Sequence, residues 1–424
     1  ILSFFIFYYS LINSKKTLVL LDDWHSVSTN SVFWDQIRKM GYELTVKMVD
    51  NKNIDLTNYG EYIYDNIIFF APSVNEISTK NNISIEKMLK FIDDGHDIMI
   101  FGSNDSGLFV RNLVNEFGVD FDDYSSQVKD SIYLHLDEKN KINSQLLNLK
   151  DDEIILSKNI IDVNTIFKQP KGNILYKGIG MDIDPQNKYI FPILKGDKNT
   201  YSVSAKTGEV YSNGEHLKLV NGYQARNNRR VVISGSIEIC SNKFYYLSMN
   251  EDEDNKSILE SPNAVFCQDL LNWNFQRTGV LKFTNIRHNN NKGESLDTYR
   301  IKDYLEYYID ILEYDYLTDS WKNYVSDDIQ LTFLMMNPYY INQMKRLSNK
   351  PTYYVKFRAP EKHGVFKFLI DYHRTGYSYI FSSTKIPLRP FYHNEFPRFL
   401  PCAYPYYVSV FVVLGYSILF SILF

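Results

Sequence analysis

The sequence contains few cysteines, no block of charge of one sign and no paired histidines. Cys240, Cys267 and Cys402 lack the short spacings of metal ligands, and their odd number leaves at least one outside any disulfide. None of the 8 histidines forms a His-x-x-x-His or His-Glu-x-x-His motif. The 46 basic and 50 acidic residues are interspersed, so the basic footprint of a nucleic-acid-binding protein is missing. We therefore expect no metal, no cofactor and no nucleic-acid partner.

Motifs for a nucleophile or a phosphate are also missing. The segment Gly-Ser-Asn-Asp-Ser-Gly at 102–107 follows a predicted strand, where a doubly wound hydrolase would carry its nucleophile. Neither Ser103 nor Ser106 has the Gly-x-Ser-x-Gly flanks of a nucleophile elbow, and no Lys-Ser/Thr follows to make a phosphate loop. The Gly-x-Gly at 178–180 is followed by Pro185 rather than by a helix start. Both segments are interpreted as structural turns.

The sequence is nevertheless rich enough in apolar residues to fold. Hydrophobic residues make up 44% and aromatic residues 16% of its 424 positions, which suffices for the cores of two or three domains. Disorder is excluded as the main state. The longest apolar stretches lie at the two ends of the sequence.

The amino-terminal apolar stretch has the length of a signal-peptide core. Residues 1–12 are apolar apart from Ser3 and Ser10, and the basic pair Lys15 and Lys16 follows shortly after. Such a run is too short to span a membrane. We expect residues 1–16 to be a secretory signal peptide, clipped at its start, with a buried strand or helix as the alternative.

The carboxyl-terminal stretch has the length of a membrane span. Residues 403–424 contain no charged residue, and a helix rising about 1.5 Å per residue would cross a hydrocarbon core of about 30 Å. Tyr404, Tyr406 and Tyr407 would form an interfacial aromatic belt. A buried core helix is the alternative. A signal peptide followed by one late span predicts a single-pass type I protein whose bulk is luminal.

Strands and helices alternate in the first part of the chain. The predicted strands are Thr17–Leu21, Tyr42–Met48, Asn66–Phe70 and Asp97–Phe101, and the predicted helices are Val32–Met40 and Ser84–Asp94. Further strands are expected at Ile154–Leu156, Ile174–Tyr176, Tyr201–Ser204 and Arg229–Ser234, with a helix at Asn263–Gln276. This pattern predicts an α/β region over 17–279 with a mostly parallel, doubly wound-like sheet.

The pattern changes after Gly279 to short strands rich in Tyr and Phe. The predicted strands are Ile329–Met335, Tyr353–Phe357, Val365–Asp371 and Ser378–Ser383. Turn signals about every ten residues predict an antiparallel β-sandwich-like domain over 280–397. The segments 250–255 and 289–293 are predicted exposed loops.

The stretch Leu-Val-Leu-Leu-Asp-Asp-Trp-His-Ser at 18–26 delivers polar groups to a strand end, where α/β enzymes keep their chemistry. Asp22, Asp23 and His25 are therefore candidates for catalysis, but no orienting group or oxyanion donor accompanies them. The cluster 28–30 (Ser-Thr-Asn) indicates that a helix follows. A structural role, in which the carboxylates bind a turn or cap this helix, is the favoured interpretation.

Two further sets of residues are singled out. Asn82, Asn104 and Asn255 head Asn-x-Ser tripeptides and are candidate glycosylation acceptors wherever they are exposed. Gly415, Ser417 and Ser421 are small residues within the predicted span, and small residues let helices approach closely in lipid. We expect these three to pack against a partner helix, with lipid-facing serines as the alternative.

Several segments together resemble one known family, the non-catalytic 48 kDa subunit of the endoplasmic reticulum oligosaccharyltransferase. The segments run in order along nearly the whole chain: 18–22, 59–74, 91–95, 224–236, 327–331, 364–368, 374–377, 382–384 and 403–407.

The resemblance implies a signal peptide, a luminal α/β domain related to amidotransferase-like sheets, a luminal β domain and one span in the endoplasmic reticulum membrane. The complex transfers a preassembled glycan from dolichyl diphosphate to Asn of Asn-x-Ser/Thr in nascent polypeptides. The resemblance also implies that a separate multi-span subunit carries out this transfer, and that ribophorin-like and small membrane subunits are further partners. The family's short basic cytosolic tail is not in this sequence. The alternative is a membrane-tethered α/β hydrolase or a sugar-binding protein.

Overall fold

The computed structural model describes residues 15–51, 54–77, 83–130, 154–161, 166–170, 172–248, 258–348, 350–396 and 398–423. The chain divides into two compact units: unit 1 comprises Ile1–Val280, Tyr314–Ser320 and Arg374–Ser378, and unit 2 comprises Leu281–Glu313, Trp321–His373 and Tyr379–Phe424. Most of the expected signal peptide, the predicted loop at 250–255, Asn82 and Asn255 lie outside the described residues.

Unit 1 mixes strands and helices. Its described strands are β1 (Lys16–Leu21), β2 (Glu43–Met48), β3 (Thr57–Asn58), β4 (Glu61–Tyr62), β5 (Asn66–Phe70), β6 (Asp97–Phe101), β7 (Val119–Phe121), β8 (Ser126–Asp130), β9 (Ile155–Ser157), β10 (Ile174–Tyr176), β11 (Met181–Ile183), β12 (Ile190–Lys195), β13 (Thr200–Ser204), β14 (Val210–Asn213), β15 (Lys218–Gln224) and β16 (Arg230–Ser234). Its described α-helices are α1 (His25–Thr29), α2 (Ser31–Lys39), α3 (Ile85–Asp93), α4 (Leu108–Asn115), α5 (Asn242–Leu247) and α6 (Pro262–Asn274).

The main sheet of unit 1 is parallel on one side and antiparallel on the other. Its strands run in the order β2-β1-β5-β6-β16-β15-β11-β7, with β12 paired to β15. The first five strands are parallel, and antiparallel pairing begins between β16 and β15. The parallel part has the order 2-1-3-4-5 of flavodoxin-like sheets. The predicted doubly wound-like α/β fold is confirmed.

The parallel strands form because they are continuous apolar runs covered by helices on both faces. Strands β5 and β6 are buried at every residue, as predicted from Asn-Ile-Ile-Phe-Phe and Asp-Ile-Met-Ile-Phe. Helix α3 packs Met88, Phe91 and Ile92 onto the sheet. The helix is capped by Ser84, whose hydroxyl accepts a hydrogen bond from the Lys87 N–H at 3.3 Å.

The helix predicted at Val32–Met40 is observed as α2, and a further short helix, α1, directly precedes it. Helix α1 ends at Thr29 and α2 begins at Ser31, with Asn30 between them at a non-helical φ of -119° and ψ of 28°. The Asn30 side-chain amide donates to Ser26 O at 3.1 Å and to Thr29 Oγ1 at 3.0 Å, so it competes with the helical backbone bonds. The Ser/Thr/Asn cluster therefore lies within and at the end of α1 rather than before a first helix.

A disulfide joins two elements of unit 1. Cys240 follows β16 and Cys267 lies on α6, and their sulfur atoms are 2.02 Å apart. Both residues are fully buried. Cys402 is exposed at the start of the last helix and is free.

Unit 2 is built around two sheets. The strands of this part of the chain are β17 (Leu281–Asn290), β18 (Tyr299–Arg300), β19 (Tyr304–Asp315), β20 (Ser320–Asn323), β21 (Gln330–Leu334), β22 (Pro338–Gln343), β23 (Lys345–Arg346), β24 (Thr352–Arg358), β25 (Gly364–Tyr372) and β26 (Ile380–Arg389). One sheet has the order β17-β19-β24-β23, with β20 paired to β19, and the other the order β18-β26-β25-β21-β22. Apart from the parallel pair β18 and β26, the described pairings within these two sheets are antiparallel.

Aromatic side chains from both sheets fill the core of unit 2. Phe333 stacks on Phe366 with ring centres 4.9 Å apart, and both belong to the β21-containing sheet. Phe357 of the opposite sheet contacts Phe333 at 5.0 Å, and Tyr307 contacts Phe368 at 4.8 Å. Side chains alternate between this core and the outer surface along β24 and β25, which is the pattern of a sandwich.

The chain continues into one long apolar helix, α7 (Phe399–Leu423). Within Leu400–Leu423, an 18-residue window reaches a mean hydropathy of 2.0 and is not buried by the rest of the chain. Within the described residues this is the one helix long and apolar enough to cross a membrane. It begins four residues before the predicted start at 403 and contains Pro405 in its interior rather than in its first turn.

Candidate functional site

The carboxyl edge of the parallel strands is where this sheet topology would hold a ligand. In open α/β sheets, ligands bind beyond the carboxyl ends of the strands at the point where the strand order reverses. The order reverses between β1 and β5, so segments 22–25 and 71–75 flank the expected crevice. Segments 102–107, after β6, and 235–241, after β16, lie along the same edge.

The carboxylates that follow β1 bind loop groups. Asp22 Oδ2 accepts hydrogen bonds from the Ser73 N–H at 3.2 Å and from the Ser73 hydroxyl at 2.7 Å. This contact joins the two segments across the reversal point. Asp23 Oδ1 accepts from the His25 N–H at 3.0 Å, where α1 begins. Among the hydrogen bonds of the described residues, none joins the His25 ring to either carboxylate, so these side chains form no acid–base pair.

The start of α4 is blocked by the segment that follows β5. The Gly107 N–H donates to Pro72 O at 2.8 Å, and the Leu108 N–H donates to Asn75 Oδ1 at 3.2 Å. A Cβ added at Gly107 would lie 2.2 Å from Val74 O, so only glycine allows this approach. In a hydrolase, free N–H groups at such a position would stabilise an oxyanion. Here those groups already have partners.

The serines of the 102–107 turn form hydrogen bonds with each other. The buried Ser106 hydroxyl accepts from the Ser103 N–H at 2.8 Å and donates to Ser103 O at 2.7 Å. Asn104, a candidate glycosylation acceptor, is half-buried, and its backbone oxygen accepts from the Ser125 N–H at 2.9 Å. Both ends of this Asn-x-Ser tripeptide are held in the fold, and glycosylation of Asn104 stays a prediction.

A polar cavity of about 460 Å³ lies further along the same edge, lined by Ser26, Thr29, Asn30, Ile237, Glu238, Ser241, Asn242 and Lys243. Several lining groups serve helix ends instead of facing a reactant. Asn242 Oδ1 accepts from the Val32 N–H at 3.1 Å, and the Ser241 hydroxyl caps α5. The cavity wall contains one carboxylate, that of Glu238, and one ammonium group, that of Lys243. Neither Asp23 nor His25 lines it. Within the described residues, no cluster of three His, Cys, Asp or Glu side chains could hold a metal ion.

A second polar cluster in unit 1 is completely buried and centres on Arg230. Its guanidinium donates to Trp273 O at 2.7 Å, to Thr278 O at 2.6 Å and to Gly279 O at 2.8 Å. It also lies over the Trp273 ring at 4.9 Å. Sequence reasoning missed this role, although an arginine pair opening the buried run Arg-Arg-Val-Val-Ile-Ser is an unusual pattern that could have signalled it.

The Arg230 cluster joins two of the segments on which the family resemblance rests. The Trp273 indole N–H donates to Gly376 O at 2.8 Å, and Gln224 Nε2 donates to Tyr377 O at 2.9 Å. Segments 224–236 and 374–377 therefore meet in a buried joint that ties the start of β16 and the end of α6 to a distant loop of the chain. Nearby, burial raises the pKa of Asp97, which accepts from the Arg230 N–H at 2.9 Å.

The predicted packing residues lie on α7. Gly415, Ser417 and Ser421 are exposed in the isolated chain. The Ser417 and Ser421 hydroxyls donate to Leu414 O at 2.8 Å and to Ile418 O at 2.9 Å. Both hydroxyls thus have partners within the helix. Each serine therefore offers a neighbouring helix a small surface and no unpaired hydroxyl.

Comparison with known proteins decides the family. The family model described as "OST48, N-terminal domain" matches residues 9–277, and the model described as "OST48 middle domain" matches residues 287–424. The chain belongs to the OST48 family. Both matches together extend over nearly all of the chain.

Curated relatives of this OST48 chain carry the name dolichyl-diphosphooligosaccharide–protein glycosyltransferase 48 kDa subunit. The protein from Danio rerio is 33% identical over 423 residues, covering 98% of this chain and 92% of its own length. The relatives from Arabidopsis thaliana and Drosophila melanogaster are 31% and 30% identical, each over 96% of this chain and over 92% and 90% of their own lengths. A solved carbohydrate deacetylase is similar only at a TM-score of 0.33 and 11% identity, over 55% of this chain and 31% of that one.

Proposed function

We propose that this chain is an assembly subunit of the oligosaccharyltransferase complex in protein N-glycosylation and does not itself carry out glycan transfer. The observation that carries the first part is the family match over both units, together with relatives that are named as the 48 kDa subunit of this transferase. The chain is accordingly a subunit of a glycosyltransferase complex.

The geometry of the sheet edge supports a non-catalytic role. Catalysis needs a nucleophile or base within hydrogen-bond reach of its partner and donors aimed at the developing charge. Asp22 is bonded to Ser73, Ser106 is bonded to Ser103, and the first N–H groups of α4 are bonded to segment 71–75. The groups that could have formed an active site instead hold the loops to one another.

We further propose that the chain is a single-pass type I protein of the endoplasmic reticulum membrane with both units in the lumen. Three features support this location: α7 at the end of the chain, the apolar run at its start, and the Cys240–Cys267 disulfide. Disulfides form and persist in oxidising compartments such as the lumen of the endoplasmic reticulum.

Protease protection tests this topology. The turn between β17 and β18 is exposed at Lys292 and Gly293, so a protease site inserted there is accessible in the folded chain. In sealed microsomes we expect the site to be resistant until detergent opens the vesicles. Cleavage in intact vesicles would contradict the luminal orientation. If the inserted site resisted the protease in detergent as well, it would be placed instead at the exposed Tyr59–Gly60 turn.

We propose that the partners are a multi-span catalytic subunit, ribophorin-like subunits and small membrane subunits, and that the face of α7 that carries Ser417 and Ser421 contacts one of them. Gly415 lies about 160° around the helix from Ser417 and is not part of this face. Replacing Ser417 and Ser421 by leucine adds bulk to this face without adding charge. We expect recovery of the multi-span partner in mild detergent to fall by about 5-fold or more, because tight helix contacts in lipid depend on small residues.

The matched control for the serine pair is Val408→Leu with Val412→Leu. These valines lie on roughly the opposite side of α7 at about 3.6 residues per turn, so this change should leave recovery unaltered. Membrane insertion should be normal for both variants. Equal recovery of partners with both variants would reject the packing role, and absence of any multi-span partner from the wild-type preparation would reject the complex.

A further inference from the structure

The segment between the sandwich of unit 2 and α7 folds into a fixed turn. We call residues 390–396 the juxtamembrane turn; they follow β26 and contain the short 3₁₀ helix His393–Glu395. The Glu395 N–H donates to Tyr392 O at 3.0 Å, and the Glu395 carboxylate accepts from the Tyr392 N–H at 2.8 Å. Reciprocal bonds of this kind fix the backbone as a capping box does.

Two arginines fasten this turn to the sheet. Arg389, the last residue of β26, donates two bonds to Glu395, at 2.6 Å to Oε2 and at 2.9 Å to Oε1. Arg300 on the neighbouring strand β18 lies 3.7 Å from the same carboxylate. Bidentate arginine–carboxylate pairs are geometrically specific as well as strong. We call this group of three side chains the Glu395 clamp.

The Glu395 clamp is insensitive to pH in the physiological range. The Arg389 hydrogen bonds, followed by the bond from the Tyr392 N–H, lower the pKa of Glu395 to about 2. The carboxylate is therefore ionised at neutral pH, so both arginines face a negative charge there.

The clamped turn presents apolar side chains that the described residues of unit 2 leave largely exposed. Tyr392 is 62% exposed and Phe396 is 53% exposed, and Leu400 in the first turn of α7 is 64% exposed. The Arg389 guanidinium lies 4.0 Å from the centre of the Tyr392 ring, which holds that ring in place from one side. Large apolar groups held rigidly in solvent indicate a contact surface, because burying them is favourable by about 25 cal/mol per Å².

The position of this surface along the chain identifies what covers it. Arg398 is the last charged residue before the candidate span Leu400–Leu423, and a charged side chain is costly inside the hydrocarbon core, so the chain enters the bilayer just after this arginine. The first residues of α7 therefore lie at the level of the lipid headgroups, and Phe396 is only four residues further away. Tyrosine rings are favoured at this level of a bilayer, and phenylalanine side chains bury their apolar surface at the boundary between headgroups and acyl chains.

We infer that Tyr392 and Phe396 insert into the lipid headgroup layer where α7 enters the membrane, and that the Glu395 clamp holds the sandwich of unit 2 at a fixed height above the bilayer. The partner of this surface is the lipid itself, not a protein. The inference rests on the proposed membrane span of α7 and goes beyond it, since a span alone would be compatible with a loose tether.

Depth-dependent fluorescence quenching tests the lipid contact. In a Cys402→Ser background, Phe396→Cys or, as control, Tyr339→Cys on β22 is labelled with the environment-sensitive dye NBD. The buried Cys240–Cys267 disulfide does not react. The labelled full chain is reconstituted with its copurifying subunits into phosphatidylcholine vesicles with or without a nitroxide on the headgroup. We expect the nitroxide to reduce emission at 396 about 2-fold or more and to leave emission at 339 unchanged.

Two results would overturn the lipid assignment. Emission at 396 that is quenched by aqueous iodide but not by the nitroxide would mean that the turn stands away from the bilayer. Emission at 396 protected from both quenchers would mean that a partner protein covers it. Extraction of the wild-type chain by alkaline carbonate would instead show that α7 does not span a membrane, which is a separate failure of the proposed function.

The clamp is tested by Glu395→Gln in the same labelled background. This substitution keeps the size of the side chain but removes the charge that binds both arginines. We expect nitroxide quenching at 396 to fall to about half of its wild-type extent, with membrane extraction and subunit recovery unchanged. Glu361→Gln is the matched control, since Glu361 pairs with Lys302 at 3.0 Å on an open surface. Unchanged quenching after Glu395→Gln would overturn the role of the clamp.

Discussion

Replacing Arg230 by methionine is expected to destabilise the chain by about 3–5 kcal/mol, because the carbonyls of Trp273, Thr278 and Gly279 would lose their hydrogen bonds from the buried guanidinium. Hydrogen bonds to a charged group contribute about 1.5–3 kcal/mol each, and methionine supplies bulk but no hydrogen bond. Trp273 O and Gly279 O would each keep a backbone donor, from Gln276 and Ser378. A loss of this size approaches the whole stability of many domains. We expect the variant chain to be degraded and its steady-state level to fall about 10-fold.

Arg226→Met is the matched control for Arg230→Met. Arg226 belongs to the same segment, 224–236, but its side chain is exposed, so its replacement should change stability by no more than about 0.5 kcal/mol. Pulse-chase labelling measures the lifetimes of both variants. Equal lifetimes for the two variants and the wild type would show that the Arg230 joint does not hold unit 1 together.

Removing the disulfide by Cys240→Ala with Cys267→Ala is expected to cost about 3 kcal/mol. The bond closes a loop between residues 27 positions apart and joins the segment after β16 to α6. Without this bond the unfolded chain has more conformations available to it, and the gain in entropy favours unfolding. We expect the melting temperature of the detergent-solubilised complex to fall wherever this chain limits its stability, and the level of the chain to fall several-fold.

The pairing itself is checked by alkylation and mass spectrometry of the native chain, with Cys402 as internal control. Cys402 is free and exposed, so it should be alkylated without reduction, whereas Cys240 and Cys267 should react only after reduction and unfolding. Alkylation of all three without reduction would contradict the disulfide. It would also remove one of the supports for a luminal location.

The sequence predicted the elements that have strong local signals. Local patterns predict strands β5 and β6 at Asn66–Phe70 and Asp97–Phe101, as observed, because each is a continuous apolar run that follows a polar residue. Helix α3 was recognisable from Ser84 at its cap and Gly95 at its end. Helix α4 was missed, because it starts after Gly107 without a side-chain cap and its apolar residues follow a segment that reads as a turn.

The candidate site depended on contacts between distant residues, which local patterns do not contain. Asp22 and Ser73 are 51 positions apart, and Val32 and Asn242 are 210 positions apart. They meet only because β1, β5 and β16 belong to one parallel sheet, whose strand order is a property of the whole fold. The same holds for Arg230, whose partners at 273–279 lie on and after another helix.

The most direct test of the non-catalytic role is glycan transfer per assembled complex after Asp23→Asn with His25→Ala. Both side chains lie at the sheet edge, and neither bonds Ser73, so the loops should remain in place. Loss of a true general acid or base lowers rates by about 100-fold to 10,000-fold. We predict transfer within about 2-fold of wild type at equal subunit levels. A fall of about 100-fold at unchanged subunit levels would show that this edge performs chemistry and would contradict the account.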